Sequence, residues 1–393
     1  MRRSADRILV THTGSLPRPR DLASALRARN MGGAVDAKAL AARVRDSVRE
    51  VVARQLQLGV DCVDDGEHSK SSFTHYLRTR LSGLGRTDKP YPAHKPSRDQ
   101  AAFSDVYEEN KVMLAARPGR GPRTAPGERN TACIGPVKFI GHAEVEADID
   151  NLRAALAEAP ETEGFITSLS PNNLETHYRN EYYATEEEYL AALADAMREE
   201  YRLIVASGFI LQVDDPRIIT YWDRNPDLSL AECRKFIEKR VELLNYALRG
   251  IPEDRVRFHT CYSTNVAPRV HDLELKDYID LMFKVRAAAY SIEASNPRHE
   301  HEWAVLKDVR LPDGKIIIPG VVSHCVSLVE HPELVAQRIE RWAGVAGREN
   351  VIAGNDCGFA TSAAGDEVHP DVAWAKMQAL VDGARIASRR LWG

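Results

Sequence analysis

The chain has 393 residues, 44% of them apolar and 28% charged, with a net charge of −4 at pH 7. This suits a soluble globular protein with an ample core, either one large α/β barrel or two smaller domains. The charge gives no electrostatic case for nucleic acid, no run reaches the ~20 apolar residues of a membrane span, and six cysteines in so long a chain make no disulfide framework. The opening MRRSADRILVTHTGS has no apolar stretch long enough for a signal peptide. A reducing cytoplasm is therefore the expected compartment, and there free thiolates can serve a metal.

Strand-like runs alternate with amphipathic ones along the chain. ILVTH (8–12) reads as a first strand, 37–57 as a helix and VDCVDD (60–65) as a second strand. Residues 68–130 then carry many Pro, Gly and Arg, including RPGRGPRTAPGERN, and read as an insertion. TACIGP (131–136) reads as a third strand, followed by a second insertion at roughly 142–184 that ends in SPNNLETHYRNEYY. A helix over 186–207 starts after Thr185 with Glu188 three residues later, a capping-box pattern. Next come FILQVD (209–214), a helix at 230–248, RVRFHTC (255–261), AAYSIE (288–293) and IIIPGVVS (316–323). A helix at 332–346, NVIAGN (350–355) and a helix at 370–390 complete the chain. Eight strands mostly separated by helices predict a single (β/α)₈ TIM barrel, with the insertions placed to roof its catalytic face or to serve as surface or oligomer contacts.

Barrel enzymes carry their chemistry at the carboxyl ends of the strands. Here those ends hold His12 and Ser15, Glu67, Gly135-Pro136, Asp214, His259 and Cys261, Glu293, His324, and Asp356-Cys357. A barrel built for packing alone needs no polar group at nearly every exit, so the pattern predicts an enzyme. His259, Cys261, Glu293 and Cys357 together offer imidazole, thiolate and carboxylate, a set that suits tetrahedral Zn²⁺. A lone buried His or Cys is usually a plain core residue, and Cys62, Cys133 and Cys233 read that way. Cys325, beside His324, is less plainly inert. The HEHEW run from His299 to Trp303 reads as a solvated helix start rather than a metal site. THTGSLPRP has neither a P-loop lysine nor a GxGxxG pattern, which argues against a nucleotide.

HTCYS, SIEAS and NDCGF resemble the zinc-binding motifs of the cobalamin-independent methionine synthase family, in its catalytic C-terminal barrel. THTGSLPRP, GEHS, CIGPV and QVDDP extend the resemblance in the same order over most of the chain. It implies a TIM barrel in which a zinc-bound thiol is alkylated on sulfur, with His259, Cys261, Glu293 and Cys357 as ligands. It also implies that the Thr13-Gly14-Ser15 turn holds the carboxylate of homocysteine, and that Glu67 and Asp214 receive its ammonium group. Two departures concern the donor. The chain begins directly at the catalytic barrel, and where family members present a tryptophan-bearing loop to the pterin it reads SPNNLETHYRNEYY. The donor therefore stays open among folate, corrinoid and epoxide. The alternatives are an epoxyalkane:coenzyme M transferase-like epoxide opening, with His324 or His299 as the acid, and a catalytically silent binding protein on the same barrel.

Overall fold

A computed structural model describes residues 1–90, 95–115, 131–264 and 268–393, with the side chains of 110–115 left aside. All of RPGRGPRTAPGERN (117–130) thus lies outside the described residues. Eight parallel strands form the barrel: β1 (Leu9–Val10), β2 (Cys62–Val63), β3 (Glu163–Leu169), β4 (Ile210–Asp214), β5 (Val256–Thr260), β6 (Ala289–Ile292), β7 (Ile316–Val322) and β8 (Ile352–Asn355). Each neighbour pair from β2 through β8 and back to β1 is parallel. The Asp61 N–H donates to Val10 O at 2.9 Å, which draws β2 against β1 and closes the ring. The fold is a (β/α)₈ TIM barrel, as the alternation of strands and helices implies.

The third strand corrects the sequence reading. Thr131–Cys133 does not enter the barrel; it joins Leu84–Arg86 and Arg179–Asn180 in a separate three-stranded sheet. The third barrel strand is Glu163–Leu169, inside the span expected to be an insertion, and it pairs with β4 from Phe165↔Ile210 to Leu169↔Asp214. EGFITSL mixes polar and apolar residues because its inner face meets the polar mouth, so it reads weakly as a buried strand. TACIGP is apolar but stops at Gly-Pro, where the chain turns away. The remainder of the second expected insertion also differs, since His142–Ala155 is an ordinary helix.

Helix signals fare better. The box of Thr185 and Glu188 caps Glu186–Ala206, Ser229 and Glu232 make the same box at Leu230–Ala247, and Asp36 caps Ala37–Leu58. Most of the core lies between strands and helices, where Leu211, Val213, Val256, Phe258, Tyr290 and Ile317 belong to one cluster. The other strand face points inward. Leu9, Ala289, Ile316, Ile318 and Ile352 fill one part of the interior, with Cys62, Phe165 and Ile210 in another. Because strand side chains alternate with period 2, the inner face passes from these apolar residues to Arg257 and then His259. The site thus rests on a packed floor.

Candidate active site

Arg257 is the residue on which the floor of the site is organised, and the sequence reading missed it. It is fully buried and lies over the Phe165 ring at 3.8 Å. Its guanidinium donates to Gln212 Oε1 at 2.6 Å, to Thr11 Oγ1 at 2.9 Å and to His12 O. Gln212 donates in turn to Thr13 O and to Asp214 Oδ1, each at 2.7 Å. One cation thereby sets the Thr13 turn and the Asp214 carboxylate relative to each other. Its position two residues before His259, in VRFHT, was the available signal, since i and i+2 share a strand face.

Above this floor, Thr13, Ser15, Glu67, Asp214, His259, Cys261 and Cys357 line one cavity of about 300 Å³. Ser72, Phe73, Thr74 and His75 close one side of it and Asn173, Thr176 and His177 another, so both expected insertion spans reach the mouth.

The end of the cavity away from the cysteines is built from tight turns. Gly14 has φ +119°, and a Cβ there would lie 2.6 Å from Thr167 Cγ2, so only glycine fits. The Thr13 N–H donates to Asn355 Oδ1 at 3.0 Å and the Gly14 N–H to His12 Nδ1 at 3.2 Å. With those two donors engaged, Ser15 is the member of the turn that faces the cavity with Thr13. Glu67 adopts φ 59°, an uncommon left-handed conformation for a non-glycine residue, after Gly66 at φ 66°. Its Oε1 accepts from Thr167 Oγ1 and lies 3.5 Å from Lys70 Nζ, while its Oε2 is buried without a partner. Burial, and next the charge of Glu67, hold the Asp214 carboxyl well above the usual range. Two carboxylates facing one space want a cation between them.

The sulfur end gathers His259, Cys261 and Cys357, whose donor atoms all lie within 4.8 Å of one another. The two Sγ atoms are 3.0 Å apart. The Cys357 thiol is pushed up by its hydrogen bond to Cys261 and by burial, since two adjacent sulfurs cannot both ionise without a cation. His259 Nδ1 meets Ser291 Oγ at 3.1 Å, whereas Nε2 is buried with no partner. Burial, with Arg257 nearby, lowers its pKa to about 3, so the imidazole is neutral, and in the tautomer in which Nδ1–H donates to Ser291 Oγ the Nε2 lone pair is free. An orphaned lone pair beside two thiols fits a metal ion with an affinity for nitrogen and sulfur.

Glu293 is not with this trio. It groups with His324 and Asp356, again within 4.8 Å. Its Oε2 accepts from Tyr262 N at 2.8 Å, and its Oε1 from Arg269 at 3.1 Å and from Asn296. His324 is fully buried and does not line the cavity. His299 sits between Asp272 at 3.2 Å and Glu302 at 2.9 Å, with its ring stacked on Tyr262 at 3.8 Å. Those carboxylates overcome burial and raise its pKa to about 9, which makes it a buried structural cation with both nitrogens engaged.

Comparison with known proteins identifies the family. Residues 163–381, more than half of the chain, match the family described as "Cobalamin-independent synthase, Catalytic domain". The chain belongs to the cobalamin-independent synthase family. A methionine synthase of Saccharolobus islandicus (strain L.S.2.15 / Lassen #1) is 24% identical over 385 residues, covering 97% of this chain and 95% of that protein. A 5-methyltetrahydropteroyltriglutamate–homocysteine methyltransferase of Thermotoga petrophila is 22% identical over 359 residues, covering 90% of this chain and 41% of that protein. Among solved structures, a B12-independent methionine synthase from Shewanella sp. W3-18-1, in complex with selenomethionine, superposes with a TM-score of 0.70 at 19% identity. That match covers 98% of this chain and 99% of the other. A putative vitamin-B12-independent methionine synthase from Listeria monocytogenes gives a TM-score of 0.65 at 18% identity over 98% and 99% of the two chains. At such identities these synthase structures bear on the fold alone. Among the described residues, no helix is long and apolar enough to cross a membrane.

Proposed function

We propose that this synthase-family chain is an S-methyltransferase of the methionine-synthase type, with homocysteine as acceptor and a metal ion as thiol activator. One observation carries the reading: the unpaired carboxylate oxygen of Glu67, Asp214 and the His259/Cys261/Cys357 trio line the same cavity. A small molecule with an ammonium group at one end and sulfur at the other satisfies both. The relatives' names, methionine synthase and homocysteine methyltransferase, support the same pairing.

His259, Cys261 and Cys357 would hold Zn²⁺, and Glu293 would supply a fourth ligand by giving up part of its present hydrogen bonding. A bound Zn²⁺ supplies Lewis acidity that brings a thiol of pKa about 8.5 to thiolate at neutral pH. The chain's own residues do the rest. Glu67 and Asp214 anchor the ammonium group, Ser15 meets the carboxylate end, and the packed floor keeps the sulfur from drifting. The thiol releases its proton, its sulfur forms the new S–C bond, and the donor's bond to that carbon breaks with the electron pair leaving on the donor. In-line approach is imposed by holding both partners in one mouth.

The test is a thiol-depletion assay pairing homocysteine, coenzyme M and cysteine with methylcobalamin, methyl-folate and epoxypropane. Homocysteine should be consumed with a methyl donor to give methionine. Preference for coenzyme M, or turnover only with the epoxide, overturns the reading. Metal analysis of the same preparation should find one zinc per chain.

A further inference from the structure

Glu67 and Asp214 are held in matching ways from neighbouring strands. Gln212 on β4 accepts from the buried Arg257 guanidinium and donates to Asp214 Oδ1. Its register partner on β3 is Thr167. Thr167 is buried, accepts from the buried ammonium of Lys70 and donates its hydroxyl hydrogen to Glu67 Oε1. In each case a buried cation acts on a carboxylate through one neutral side chain of the barrel wall.

The direction of the second chain follows from its chemistry. An ammonium group has donors and no acceptor, whereas a hydroxyl has a single hydrogen. Because Lys70 donates to Thr167 Oγ1, that hydrogen is left for Glu67. Lys70 also donates to Thr167 O at 2.7 Å and stands 3.5 Å from Glu67 Oε1. Its backbone N–H donates to Glu67 O at 3.0 Å, which turns the segment back and brings the two side chains together. Burial acts to lower the Lys70 pKa, but the charges of Glu67 and Asp65 outweigh it and raise it, so Lys70 is a cation. Burial and the charge of Glu67 raise the Asp214 carboxyl, and Lys70 offsets part of that rise. Glu67 Oε1 is thus committed to Thr167, and Oε2 is the oxygen without a partner. Neither Lys70 nor Thr167 lines the acceptor cavity, so whatever they do there they do through Glu67.

We propose that Lys70 and Thr167 are positioning residues for amine recognition: acting as one chain, they turn Glu67 so that Oε2 meets the ammonium of the acceptor thiol. They thereby set the preference for an amino-acid thiol over a thiol without an amine. The inference deepens the homocysteine reading and rests on it for the identity of the acceptor.

The experiment measures equilibrium binding of homocysteine and of 4-mercaptobutyrate to the zinc-loaded protein. The second thiol keeps the sulfur and the carboxylate and lacks only the amine, so the ratio of the two affinities reads amine recognition alone. Thr167→Val and Lys70→Met should each lower that ratio by about 5- to 30-fold, and Thr167→Ser, which keeps the hydroxyl, should restore most of it. Lys70→Gln replaces the Met variant if the latter does not fold. The double variant should fall no further than the weaker of the two singles, because one chain is cut only once. A merely structural role would weaken both thiols alike and leave the ratio unmoved. An unchanged ratio in Thr167→Val or in the Lys70 variant, no recovery in Thr167→Ser, or losses that multiply in the double variant overturns the proposal while the homocysteine reading stands. A wild type that binds both thiols equally overturns the two together.

Discussion

Two buried clusters of potential ligands sit side by side at the mouth of the barrel, and they differ in what their atoms already hold. In the Glu293/His324/Asp356 group the carboxylates are saturated, while both ring nitrogens of His324 are buried without a partner and away from the cavity wall. Asp356 Oδ1 accepts from Ala294 N at 2.8 Å and Ser295 N at 2.9 Å, and its Oδ2 accepts from Ser295 Oγ at 2.6 Å. Gly320 makes room for this, since a Cβ there would lie 2.2 Å from Asp356 Oδ1. In the His259/Cys261/Cys357 group the sulfurs have each other and His259 Nε2 has nothing. Crowding of ligand-type atoms is common to both groups. What separates a loop fastener from a candidate metal centre is unsatisfied donor capacity on a cavity wall.

The strongest way to break that contrast is to remove sulfur. Cys261→Ser with Cys357→Ser should abolish both stoichiometric zinc and thiol transfer; retention of zinc would place the metal elsewhere, in the carboxylate group first. Ser291→Ala comes next. It frees His259 Nδ1 without touching a ligand atom and should cost about 10- to 100-fold in zinc affinity, read by competition with a chelator.

Glu67→Gln or Asp214→Asn sharpens the other end of the cavity. Charge-assisted bonds contribute about 1.5–3 kcal/mol each, so homocysteine KM should rise by about one to two powers of ten. Mercaptoethanol, which has no amine, should react as before, and zinc content should not move. Normal homocysteine kinetics in both variants would remove the amino-acid thiol from the reading.

The smallest effect concerns stability. The folded pKa of His299 is raised from 6.5 to about 9 by Asp272 and Glu302. Its contribution is therefore fully present below pH 6.5 and is lost as pH rises through 9. A shift of that size corresponds to a few kcal/mol at most. Thermal midpoints should fall between pH 7 and 9.5 in the wild type, and His299→Gln should flatten that fall. An unchanged slope would show that His299 is not a buried cation.

The parts of this protein legible in its sequence are those whose cause is local. Asp36, Thr185 and Ser229 start helices through hydrogen bonds to backbone a few residues away, so their signals survive without tertiary context. Period-2 alternation likewise put His259 on the inner face of VRFHT. Non-local causes were not legible. Thr131–Cys133 and Glu163–Leu169 differ in the partners available to each, which no local pattern records. Arg257 reads as a stray charge until Gln212 and the Thr11-His12 pair, from two other segments, converge on it. The residue types alone determined that nitrogen, sulfur and carboxylate donors end neighbouring strands. Only the folded barrel decided which of them keep lone pairs to offer, because a donor's capacity depends on every group packed against it.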